Sequence, residues 1–125
     1  QFVMVYYGIL KAGGAVVATN PLYTPPEIEH QASDAGIEYM FVMTNFYETI
    51  KKAQPKTKIK KLIVTNLKET LPPILRILFT LAKEKKGGFR IEGGLRDGDI
   101  WLQDLLAKYT SASKPDVGVG PDDTA

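Results

Sequence analysis

A glycine pair, Gly13-Gly14, divides an apolar helical run from a short apolar β-branched run, and a proline-started helix follows. Phe2 to Ala12 is apolar on nearly every face, with Lys11 its only charge. Such a helix is expected to be largely buried. Gly13 supplies the left-handed residue that ends it, and Gly14 lets the chain turn. Ala15-Val16-Val17-Ala18 has the pattern of a strand covered on both faces, as in a parallel sheet. Thr24-Pro25-Pro26-Glu27 then starts a helix. Thr24 can accept a hydrogen bond from the Glu27 amide while the Glu27 carboxylate reaches back to the Thr24 amide. Pro25 sits where a missing N–H costs nothing.

The alternation continues. Ile28, Ala32 and Ala35 form one apolar stripe closed by Gly36, and Ile37 to Met43 reads as the next strand. Asn45 with Glu48 repeats the capping logic for a short helix ending near Ala53, and Leu62-Ile63-Val64-Thr65 is a third strand. Helix, strand, helix, strand, helix, strand predicts an α/β fold: a mostly parallel sheet with flanking helices and right-handed crossovers. After Thr70 the pattern changes. Pro72-Pro73 begin a helix running to about Lys86, and Gly87 through Gly98 holds five glycines in twelve residues. That stretch reads as a mobile loop or a glycine-punctuated hairpin around Phe89-Arg90-Ile91. Asp99 is expected to cap a short helix through Trp101, Leu105 and Leu106, and Thr110 to Ala125 reads as a polar linker.

The 125 residues suit one domain with a real hydrophobic core. The absence of cysteine excludes a disulfide scaffold, a thiolate zinc site and a cysteine nucleophile. Gln1 leads straight into the apolar helix without a charged n-region or cleavage site. A secretory signal is therefore not expected, and a piece of a longer protein is. No apolar run approaches the ~20 residues that span a bilayer. The net charge of +2 hides an asymmetry, since residues 1–86 carry 12 basic against 7 acidic side chains and residues 87–125 carry 4 against 7. Neither part argues strongly for a polyanion partner.

Each polar constellation has an ordinary structural reading. Gly13-Gly14 follows a helix, whereas a phosphate cradle follows a strand and opens a helix, so a turn is expected. His30, the single histidine, has Asp34 at helical spacing but no nucleophile to complete a triad, and reads as a surface or packing residue. Asp97-Gly98-Asp99 and Asp122-Asp123 lack the further oxygen ligands of a calcium loop and read as helix cap and solvated tail. Lys51 to Lys61 holds six lysines without the interleaved arginine and aromatic residues of a nucleic-acid groove, and reads as a solvated loop. Thr70 to Lys86 sets Leu71, Ile74, Leu75, Leu78 and Ala82 on one face, a narrow polar stripe of Arg76, Thr80 and Lys83 on another, and a basic end. It suits either a domain-packing helix or an interfacial membrane helix.

Leu10-Lys11-Ala12-Gly13-Gly14, Asn20-Pro21-Leu22-Tyr23-Thr24 and the helix from Glu27 to Gly36 together resemble a core segment of the adenylate-forming, or acyl-CoA synthetase, superfamily. Leu71 to Lys86 is similar to an insertion in its bacterial long-chain fatty-acid–CoA ligases. Gly120-Pro121-Asp122-Asp123-Thr124-Ala125 is like the stretch preceding its phosphate loop. The resemblance implies a partial lobe of the N-terminal AMP-binding domain. Residues 1–69 would be α/β core, 70–98 a helical insertion with a Gly-rich loop, and 99–125 a short helix and linker. It also implies that the phosphate loop, adenine motif, metal-binding glutamate, ribose-binding aspartate and adenylation lysine lie past Ala125. No catalytic, cofactor-binding or metal residue is therefore assigned here.

For the parent enzyme the resemblance implies ATP, Mg²⁺ and CoA, with fatty acid as substrate, in the cytoplasm with peripheral contact at the inner membrane face through residues 70–86. A different adenylating ligase acting on aryl or amino acids, and a non-catalytic membrane-associating module, are the alternatives. No nucleic-acid partner is expected. A sheet cut from a larger domain leaves an open edge and an apolar patch, so the chain is expected to self-associate.

Overall fold

The computed structural model describes residues 1–111, 113, 115–118, 120 and 122–123. Among these, three parallel strands form one sheet in the order β1 (Tyr39–Met43), β2 (Lys61–Thr65) and β3 (Ile100–Trp101). Tyr39 to Met43 pair residue by residue with Lys61 to Thr65, and Ile63 and Val64 pair with Ile100 and Trp101. Five helices accompany them: α1 (Phe2–Lys11), α2 (Pro25–Asp34), α3 (Tyr47–Ala53), α4 (Pro73–Ala82) and α5 (Leu102–Lys108). The α/β architecture with a parallel sheet and flanking helices is the one the alternation predicts.

Adjacent parallel strands cannot be joined by a tight turn, and α3 lies on the connection between β1 and β2. Its Tyr47, Ile50 and Ala53 enter the core with Ile28 and Ala32 of α2, Val42 of β1, and Leu62 and Val64 of β2. Tyr47, Leu62 and Val64 are wholly buried. Burying an aliphatic side chain of that size stabilises the fold by roughly 1.5–3 kcal/mol. The α2 stripe behaves as its spacing predicts at Ile28 and Ala32, while Ala35 stays exposed. A capping box starts α2, with the Glu27 carboxylate accepting from both the Thr24 amide and the Thr24 hydroxyl at 2.7 Å. Gly13 ends α1 at φ +76°, and Gly36 follows α2 at φ +63°, conformations that cost other residues more.

Several local expectations fail where packing at a distance decides the outcome. Ala15 to Ala18 forms no strand. It faces β1 across a trough of about 870 Å³, and a ladder requires backbones roughly 4.8 Å apart. α1 buries no residue: Phe2 and Val3 are about two-thirds exposed, and Phe2, Val5, Tyr6 and Ile9 line that trough rather than a packed layer. α4 ends at Ala82 rather than near Lys86, and turns follow through Gly88 with no strand at Phe89 to Ile91. Ile100–Trp101 joins the sheet, so α5 begins at Leu102 with Trp101 as its N-cap, and Asp99 is not that cap. The linker expected over Thr110 to Ala125 lies partly outside the described residues, which omit Ala112, Lys114, Val119, Pro121, Thr124 and Ala125.

Candidate functional site

The densest polar cluster gathers where the Gly-rich loop meets α3 and the start of β2. Asp99 directly precedes β3, and its side chain is fully buried. One carboxylate oxygen accepts the Leu62 amide at 2.8 Å, supplying a partner at a point where the short β3 supplies none. The other accepts the Tyr47 hydroxyl at 2.7 Å and the Lys51 ammonium at 3.1 Å. Lys51 also pairs with the exposed Asp97 at 2.7 Å. Asp97 holds φ +55°, an uncommon conformation for a side-chain-bearing residue, and in it the carboxylate meets Lys51. The Arg96 amide donates to the Tyr47 oxygen, and the Arg96 guanidinium, beside the Tyr47 ring, grips both oxygens of Glu48.

The electrostatics follow from those contacts. Burial pushes the Tyr47 phenol up from its ordinary value; the bond from the Arg96 amide opposes this, and the Asp99 carboxylate adds to it. Burial alone would lower the Lys51 ammonium, but its bonds to Asp97 and Asp99 outweigh that and hold it raised. The bond to Lys51 holds Asp97 below the usual carboxylate value. All three shifts favour the protonation states in which the cluster's hydrogen bonds and ion pairs are made.

A second cluster lies at the carboxyl end of β2, where open parallel sheets present their ligand crevices. Buried Asn66 donates to Glu84 and to the Phe89 carbonyl, and its side-chain oxygen accepts the Lys68 amide. Lys68 closes an ion pair with Glu84 at 2.6 Å. These residues, with Arg90 and Trp101, line a cavity of about 250 Å³. Gln1 donates to the Asn66 carbonyl, which ties the start of α1 to the same place. Asn66, Lys68 and Glu84 satisfy one another, leaving a brace and not a set of groups directed at a ligand.

The residues singled out in sequence are dispersed. His30 is exposed on α2. Asp97 and Asp99 converge on an ammonium, and Asp123 accepts the Gly120 amide in a turn. Among the described residues no three potential metal-ligating side chains come together. Asn45 makes no side-chain cap; its carbonyl oxygen and the Thr44 hydroxyl are buried without partners. Lys51 does not belong to a solvated run. Its side chain is nine-tenths buried, while Lys58 and Lys61 of that run are exposed. Sequence reading missed the union of Lys51 with Asp97 and Asp99, although both appeared separately; their separation of nearly fifty residues hid it. Asn66 and Glu84 carried no distinguishing local signal.

Neither the Gly13-Gly14 turn nor the proline-rich start of α2 fits a phosphate. The Gly13 and Gly14 amides are spent on the Leu10 and Ile9 carbonyls. Pro25 and Pro26 present no N–H at the start of α2, where the Glu27 carboxylate already sits.

The family model for AMP-binding enzymes matches residues 1–125. A long-chain-fatty-acid–CoA ligase of Salmonella typhimurium (strain LT2) is 41% identical over 71 residues, covering 57% of this chain and 13% of the relative. The enzyme of that name from Escherichia coli O6:H1 gives the same identity and coverage. That of Bacillus subtilis (strain 168) is 36% identical over 86 residues, covering 69% of this chain and 15% of its own length. The chain thus spans about a seventh of the curated relatives it matches. No solved structure matches it significantly. A parallel α/β sheet with capped α2, matched from end to end by that family model, places the chain in the AMP-binding enzyme family.

Proposed function

We propose that this chain is a framework part of the N-terminal AMP-binding domain of a long-chain fatty-acid–CoA ligase and is inactive alone. The observation that carries this reading is the family match over the whole chain, with relatives of that name. Its polar clusters support a framework role, because both are closed among their own side chains. In the parent enzyme a fatty-acid carboxylate attacks the α-phosphate of ATP, releasing pyrophosphate and leaving an acyl adenylate. The thiol of CoA then attacks the acyl carbon and expels AMP, forming the thioester. The Gly13-Gly14 turn and the start of α2 offer no phosphate cradle, which supports a framework role for this segment, and no step is assigned to a residue of this chain.

Peripheral membrane contact through residues 70–86, at the inner membrane face of a cytoplasmic enzyme, belongs to the same reading. Among the described residues no helix is long and apolar enough to cross a membrane. The exposed apolar residues of α1 and α4 support self-association of the isolated chain. The test of substrate class is a panel of long-chain fatty, aryl and amino acids offered with ATP and CoA to a longer protein containing this chain. Thioester formation with long-chain fatty acids is expected. Turnover confined to aryl or amino acids would move the protein to another adenylating class.

A further inference from the structure

The outer edge of the sheet is lightly attached. β3 is two residues long and pairs with β2 only at Ile63–Ile100 and Val64–Trp101. Of residues 100–108, only Leu102 is buried. α5 adds an exposed bond from Gln103 to the Glu69 carboxylate at 3.3 Å. β1 and β2, by contrast, pair along their whole length and close the core with α2 and α3. Segments with few buried apolar contacts open well before the core does.

What fastens this edge sits one residue ahead of it. The Asp99 carboxylate is fully buried and gathers three donors: the Leu62 amide of β2, and the Tyr47 hydroxyl and Lys51 ammonium of α3. Bonds to an ionised acceptor are about twice as strong as neutral ones. Just before it, Asp97 and Gly98 both hold left-handed backbone, at φ +55° and +73°. Reversal of either angle swings everything that follows. Leu95, ahead of that joint, is packed on the core, so the joint divides an anchored loop from a hinged edge.

We infer that Asp99 is the latch of a releasable arm, residues 100–108, which leaves the sheet as one unit while α2, α3, β1 and β2 stay folded. Release frees the edge of β2 along Ile63 and Val64. It also takes Trp101 out of the cavity wall it shares with Asn66, Lys68 and Glu84, so the motion that opens the latch opens that cavity. Asp99 is a positioning residue, acting through the strand that follows it. The arm moves within this chain, whichever acid the parent enzyme activates.

Hydrogen exchange of the chain's amides, read by NMR at urea concentrations too low to unfold it, tests the latch. The β3 and α5 amides should share one opening that depends weakly on urea, while the β1 amides wait for global unfolding. Ile28→Val in α2 should speed β1 exchange several-fold and leave the arm's rate unchanged, because the arm opens without α2. Asp99→Ala should speed exchange in the arm by about thirtyfold or more, the effect of removing the acceptor from two buried donors. Asp99→Asn keeps an acceptor for the Leu62 amide and should speed it less. Arm amides that share the rate, the urea dependence and the Ile28→Val response of β1 would overturn the releasable arm. An unchanged arm rate in the Asp99 variants would overturn the latch.

Discussion

Replacing Asp99 with alanine tests whether the buried carboxylate, rather than the nearby exposed one, holds the Gly-rich loop to the sheet. In Asp99→Ala the Leu62 amide loses its acceptor at 2.8 Å, and the Tyr47 hydroxyl loses its acceptor at 2.7 Å. Leu62 and Tyr47 are both fully buried, so water does not readily replace either bond. Each stranded buried donor costs about 1–3 kcal/mol. Lys51 keeps Asp97 and Gln54 as partners and adds little. The sum is roughly 2–6 kcal/mol, against a stability of about 6–19 kcal/mol for a chain of this length. Such a loss lowers Tm by roughly 8–23 °C.

Asp97→Ala is the matched control. It breaks the shorter ion pair to Lys51, 2.7 Å against 3.1 Å, but at a carboxylate that is 72% exposed. Its urea midpoint should fall by much less than that of Asp99→Ala. Urea titration followed by circular dichroism and by the single tryptophan, Trp101 in β3, reads both variants. An Asp99→Ala midpoint within error of the parent, or an equal loss in Asp97→Ala, would refute the argument that burial outweighs distance here.

Leu62→Ala should cost about 2–5 kcal/mol in the same titration, because its neighbours Val64, Tyr47 and Ile28 cannot all collapse into the space left. Stability should also fall at high pH. Tyr47 and Lys51 titrate above their ordinary values of 10.0 and 10.5 in the folded chain, so the unfolded chain gives up its protons first. The stabilisation is therefore fully present below those ordinary values and is lost as pH rises through the raised folded ones. Urea midpoints measured from neutrality to strong alkali should decline there, and the decline should be smaller in Tyr47→Phe.

Local signals carried the α/β alternation well. Thr24 and Glu27 make their capping box, Gly13 and Gly36 take the left-handed backbone, and β1 and β2 lie within or beside the apolar runs read as strands. These features depend on residues within one turn or one strand. Failures arose where a distant partner decided the outcome. Ala15 to Ala18 has strand composition, but its edge faces a trough in this chain, and composition does not reveal a neighbour's position. Asp99 looked like a cap because a helix was expected to start beside it. The sheet claims Ile100 and Trp101 first, and the carboxylate turns to Leu62, Tyr47 and Lys51. The inward turn of Glu84 within a lysine-rich tetrapeptide is likewise set by Asn66 and Lys68, sixteen or more residues earlier.

The central claim is that this chain supplies scaffold and not chemistry to an adenylating enzyme. Fatty-acid-dependent exchange of radiolabelled pyrophosphate into ATP measures it most directly, run on the 125-residue chain and on a longer protein containing it. The expected result is exchange by the longer protein with long-chain fatty acid and none by the chain. Exchange by the chain itself would contradict the claim, because a nucleotide site would then have to be built from these residues.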